Sequence, residues 1–169
     1  MHLQRTLRKD IHCASIGLHT GRRVNMTIKP APADTGIVFV RKDIPDAKPI
    51  VADFKSVCDT TLATTIGSDG VTVSTVEHLL SAFSGMGLDN AVIELDSFEV
   101  PIMDGSSRPF VNMLKQVGTR TQGRSKKMLV IKKPVSISQG DSNVMLLPSE
   151  EFKITYEIDF AHSAIGKQT

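Results

Sequence analysis

The sequence contains no tryptophan, one tyrosine and seven phenylalanines, so aromatic side chains make up only 5% of its 169 residues. With a formal net charge of +2, that scarcity disfavours nucleic acid as a partner, because such proteins need a basic stripe and flat faces on which bases stack. So small a charge gives no reason to expect an anionic membrane surface either. No apolar run approaches the roughly 18 residues that a membrane span requires. The basic start MHLQRTLRKD leads into IHCASIGLHT, which is too polar for the apolar part of a secretory signal, and a cytoplasmic location is therefore expected. The only cysteines, Cys13 and Cys58, form no C-x-x-C pair. In a reducing compartment neither a disulfide nor a thiolate zinc site is expected from them.

What is present is ordinary globular composition, 40% hydrophobic and 22% charged, in a length that suits one domain with a core, or one domain and the beginning of another. From Arg5 the chain alternates as strands do. Gly17 and the HTG of His19 to Gly21 supply a turn before VNMTIKP, Val24 to Pro30, which predicts an antiparallel pair. APADTG turns into a third strand, IVFVRKD, and short strands are expected between Ile44 and the SDG turn at Ser68 to Gly70. At Ser74 the period changes from 2 to 3.6: Val76, Leu79, Leu80 and Phe83 fall on one helical face, and Gly85 and Gly87 end it. A strand at Asn90 to Asp96 and a second helix through Phe110, Met113, Leu114 and Val117, closed by Gly118, come next. Thr119 to Lys127 reads as a polar linker. The pattern then restarts as MLVIKKPVSIS, a QGDSN turn, VMLLP and FKITYEIDF, which suggests a duplicated unit.

Within STVEHLLSAFSGMGLDN, Ser74 to Asn90, Glu77 has two readings. Ser74-x-x-Glu77 is a capping box, in which the serine accepts from the Glu77 N–H and the carboxylate reaches back to the Ser74 N–H. Alternatively, a carboxylate beside a metal ligand is a general base. His78 lies about 200° round the helix from Val76 at 100° per residue, on the side opposite the apolar stripe, where an imidazole could ligate zinc. No H-E-x-x-H spacing accompanies it, and His2, His12, His19 and His162 are scattered. His19 sits beside glycines that let backbone approach a ligand, or is simply a polar turn residue. MDGSSRPFV reads as a turn at Asp104-Gly105, a serine cap and Pro109 in a first helical turn. Phe160 suits either a core or a face for a nucleobase.

Taken together, GLHTG (Gly17 to Gly21), STVEHLLSAFSGMGLDN, VPIMDGSSRPFV (Val100 to Val111) and IDFAHSAIG (Ile158 to Gly166) resemble the UDP-3-O-acyl-N-acetylglucosamine deacetylases. These are the zinc enzymes of the committed step of lipid A synthesis in Gram-negative bacteria. The resemblance implies an α+β fold of sheet layered on helix, duplicated, with the metal between the two domains. It implies a first domain at residues 1–123, and at 124–169 a linker and the opening strands of a truncated second domain. Glu77 matches the general base and His78 the zinc ligand of the first domain. His19, Leu62, Asp159 and Phe160 match residues around the substrate, a UDP-linked acylated amino sugar, with Asp159 and Phe160 the pair on the uracil. Many relatives carry Met-Leu-Cys where this chain has Thr61-Leu62-Ala63. The remaining zinc ligands are expected downstream of Thr169, so this stretch alone is expected to lack deacetylase activity. The rival expectations are a non-catalytic α+β binding module and a self-associating structural fragment.

Overall fold

A computed structural model describes residues 2–169 and divides the chain into two compact units, residues 1–126 and 127–169. The first unit opens with strands β1 (Leu3–Leu7), β2 (Ile11–Ile16), β3 (Arg23–Pro30), β4 (Ile37–Arg41) and β5 (Ile50–Val51). A 3-10 turn at Phe54–Ser56 leads to β6 (Val57–Asp59), β7 (Thr65–Ser68) and β8 (Val71–Val73). Helix α1 (Glu77–Met86), strand β9 (Ala91–Leu95), helix α2 (Arg108–Val117) and strand β10 (Thr119–Ser125) complete it.

A five-stranded sheet in the order β2-β3-β9-β4-β5 forms the floor of this unit. Its neighbours are antiparallel except β4 and β9, which run parallel. The alternation in β3 turns one face to the core: Val24, Met26 and Ile28 are buried, whereas Arg23 and Asn25 face out. Those inward side chains join Phe39, Ile93 and Leu95 of the sheet with Val76, Leu79, Phe83, Phe110 and Leu114 of the helical layer in one core. The fold is therefore α+β, a sheet layered against two helices that pack on each other. A second, three-stranded sheet, β6-β7-β8, leads into α1.

The stripe predicted for α1 is rotated slightly, with Val76, Leu79, Ala82 and Phe83 buried and Leu80 only half-buried. Of the two glycines read as its end, Gly87 takes φ 65° and donates its N–H to Phe83 and Ser84 O, whereas Gly85 remains inside the helix. Thr119 to Ser125, read from sequence as a linker, is instead β10, which pairs antiparallel with β1. It forms a two-stranded ribbon with most of its side chains exposed. Such a strand carries no hydrophobic alternation to announce it.

The second unit holds two separate strand pairs, β11 (Val135–Gln139) with β12 (Ser142–Leu146), and β13 (Ile158–Asp159) with β14 (Lys167–Gln168). The hairpin turn at Gln139 to Ser142 follows from QGDS, with Gly140 at φ 58°.

Candidate functional site

The Ser74–Glu77 capping box does not form. Ser74 sits in an extended bridge with Glu99, donating its N–H to Phe98 O at 2.7 Å and accepting from the Val100 N–H at 3.0 Å. Its hydroxyl is paired with Thr65 Oγ1 at 2.9 Å. Thr75 then takes φ 59°, a left-handed turn rare for a β-branched residue, and Val76 becomes the N-cap without any side-chain cap. Both halves of the box are thus committed elsewhere.

Glu77 uses its carboxylate differently. The backbone N–H of Thr64 donates to Glu77 Oε2 at 3.1 Å, and the Val76 N–H donates to Thr64 O at 3.4 Å. Two crossed bonds therefore tie the start of α1 to the loop ahead of β7. Glu77 and His78 are both half-buried in the first turn, where the positive end of the helix dipole favours a carboxylate.

A cleft of about 470 Å³ is lined by His19, Cys58, Asp59, Thr61, Leu62, Ala63, Thr65, Thr72, Ser74, Phe98 and Glu99, and its lining includes neither Glu77 nor His78. It brings together His19 and Leu62, which stand far apart in sequence. Leu62 is 85% exposed with φ 60°, so the loop tip presents an apolar side chain to solvent instead of burying it. Asp59 shapes that tip by accepting from the Thr61 N–H at 3.0 Å. This bond, with help from Thr60, holds its carboxyl below the ordinary value against the opposing effect of desolvation.

Glu99 is the residue that sequence reasoning missed. Its carboxylate belongs to a fully buried residue, 0% exposed. It accepts from the His19 N–H at 2.9 Å, the Thr20 N–H at 3.0 Å, Thr20 Oγ1 at 2.8 Å and Thr75 Oγ1 at 3.2 Å. Burial pushes this carboxyl up, but the donors from His19, Thr20 and Thr75 more than offset it, and the net shift is downward. The one available signal was an inverted alternation: Phe98 points out at 39% exposure while Ser97 and Glu99 point in.

Asp159 and Phe160 belong to the second unit, on β13 and just after it. Phe160 is 54% exposed and donates its N–H to Gly166 O at 3.1 Å, so its ring is outside any core. Among the described residues no three His, Cys, Asp or Glu side chains are grouped so as to hold a metal. His78 is one donor, and the described residues do not by themselves make a metal site.

A model of the family described as LpxC: UDP-3-O-acyl N-acetylglycosamine deacetylase matches residues 4–169. A UDP-3-O-acyl-N-acetylglucosamine deacetylase from Syntrophus aciditrophicus is 59% identical over 100% of this chain and 54% of its own length. Proteins of the same name from Saccharophagus degradans and Myxococcus xanthus are 51% and 49% identical, over 94% and 98% of this chain and 52% and 53% of their own lengths. The chain thus spans about half the length of the curated relatives it matches.

Proposed function

This chain belongs to the UDP-3-O-acyl-N-acetylglycosamine deacetylase family, and on that premise we propose that it carries the general base and the first metal ligand of a zinc-dependent deacetylase. The reaction is hydrolysis of the acetamide of UDP-3-O-acyl-N-acetylglucosamine, releasing acetate, in lipid A synthesis. The observation that supports this most is the Thr64–Glu77 bond. One carboxylate oxygen is held by a backbone donor, which leaves the other to take a proton at a fixed position, as a general base requires.

His78, next in the same helical turn, is the proposed zinc ligand. A bound zinc ion would supply Lewis acidity at the acetamide carbonyl and make a water easier to deprotonate. The other ligands come, in this proposal, from residues outside these 169, and the chain by itself does not turn over substrate. His19 and Leu62 line the cleft and would contact the sugar and its acyl substituent. Asp159 and Phe160 would hold the uracil, the exposed ring by stacking and the carboxylate by accepting from the base.

The test is a deacetylation assay with saturating zinc on the 169-residue chain and on a version extended to the length of its relatives. Activity confined to the longer protein and abolished by Glu77→Gln supports the proposal. Turnover by the 169-residue chain, or an active Glu77→Gln protein, overturns it.

A second reading has its own support in the unit at residues 127–169. There Leu129, Phe152, Ile154 and Tyr156 are each at least 75% exposed, and apolar side chains so placed drive association between copies. Size-exclusion elution that shifts to larger species with concentration would favour that reading.

A further inference from the structure

We propose that Glu99 is a positioning residue: its buried carboxylate locks the His19–Thr20 turn and the left-handed Thr75 to one another, and thereby sets where Glu77 and His78 stand. Three chain segments distant in sequence meet on this one side chain. Oε1 takes the His19 N–H at 2.9 Å and Thr75 Oγ1 at 3.2 Å, so a single oxygen joins the cleft wall to the residue two places before Glu77. Oε2 takes both donors of Thr20.

The surroundings are shaped for that carboxylate. At Gly17 a Cβ would fall on Glu99 Oε2 and on Thr20 Oγ1, so glycine is needed there for space and not for a positive φ. The same edge is closed from the other side by the Ile102 N–H donating to Ile16 O at 2.9 Å. A threonine held at φ 59° is strained and persists only where neighbours over-determine it. Glu99 is such a neighbour. Without its acceptor, Thr75 loses the hydroxyl contact that keeps it left-handed, the chain ahead of α1 relaxes, and the Thr64–Glu77 bond goes with it.

The functional weight of this device rests on the proposed role of Glu77, but its test does not use turnover. Amide hydrogen exchange is measured on the 169-residue chain and on Glu99→Leu, which removes both acceptor oxygens while keeping most of the side chain's volume. Exchange at His19 and Thr20 should quicken, and so should exchange at Thr64, by roughly 10-fold, as for the loss of one charged hydrogen bond. The Thr64 amide is the diagnostic one, because it touches Glu77 and not Glu99.

In the double variant Glu99→Leu with Thr75→Gly, glycine adopts a positive φ without steric strain. Thr64 protection should then recover to within about threefold, by the same local-opening measure, while His19 and Thr20 stay fast. Should Glu99→Leu fail to fold, Thr75→Val carries the test alone, since it removes only the hydroxyl on Oε1 and should quicken Thr64 with His19 and Thr20 unchanged. A Thr64 amide indifferent to these changes, or quickened only in step with every core strand, overturns the proposal. If Thr64 responds as described while the extended protein proves active with Glu77→Gln, the positioning stands and the catalytic reading of Glu77 falls.

Discussion

The Thr64 backbone N–H donates to Glu77 Oε2 at 3.1 Å, across 13 residues of sequence. That bond separates two roles that one side chain would otherwise confuse. Glutamine keeps an acceptor for Thr64 but cannot take a proton. Glu77→Gln is therefore expected to cost no more than about 1 kcal/mol of stability, the share of a lost negative charge in the first turn of a helix. In a version extended to the length of the relatives it is expected to lower the deacetylation rate by ~10²–10⁴-fold, the usual share of a general base. Glu77→Ala should add about 1 kcal/mol of destabilisation from the lost hydrogen bond. Denaturant unfolding beside the rate assay checks both.

Glu99 links stability to pH. Its folded carboxyl lies below the ordinary 4.5, so protonation favours the unfolded chain. The stabilisation is fully present above the unfolded value and is lost as pH falls through the folded one. Asp43, drawn down chiefly by its hydrogen bond from the Arg41 guanidinium, acts in the same direction below 3.8. Melting temperature is expected to be flat from neutral pH to about 5 and to fall below it. Glu99→Gln should make that acid limb shallower while lowering the plateau.

The two cysteines should differ in reactivity. Burial pushes the Cys13 thiol up to about 11, whereas Cys58 is exposed at the cleft. At pH 8 a thiol reagent is expected to modify one site per native chain quickly, at Cys58, and the second only after unfolding, because the thiolate is the reactive form. Peptide mapping after timed labelling decides this.

Two glycines should respond with opposite sign. Gly17→Ala drives a methyl group into the Glu99 carboxylate and Thr20 hydroxyl and is expected to cost ~1–3 kcal/mol, as overpacking does. Gly85 lies inside α1 with open space around its would-be Cβ. Gly85→Ala should raise stability by roughly 0.5–1 kcal/mol through helix propensity. Chemical denaturation of both variants provides the comparison.

The parts of this fold that were legible in the sequence are those decided by local periodicity. Helix α1 and the β2–β3 hairpin follow from short-range spacing, and both stand in the structure, with the buried stripe of α1 turned from Leu80 toward Ala82. The misreadings have a common physical origin in partners far along the chain. Ser74 looks like a cap until Phe98 and Val100 recruit its backbone into a bridge, which no local pattern announces. Thr119 to Ser125 looks like a linker because the ribbon that it forms with β1 leaves most of its side chains to solvent. Glu99 meets donors about 80 positions away, at His19 and Thr20, and a single buried glutamate in an extended stretch carries no motif. His19 and Leu62, 43 positions apart, line one cleft, a proximity that no local spacing announces.

Zinc binding decides whether Glu77 and His78 form the first part of a metal centre, as proposed. Metal analysis and titration should be made on the 169-residue chain, on a version extended to the length of its relatives, and on the extended version with His78→Ala. About one tightly held zinc is expected in the extended protein, with affinity lowered at least ~10-fold by His78→Ala, as loss of a ligand requires. Zinc held equally well without the His78 imidazole, or by neither length of chain, would contradict the proposal.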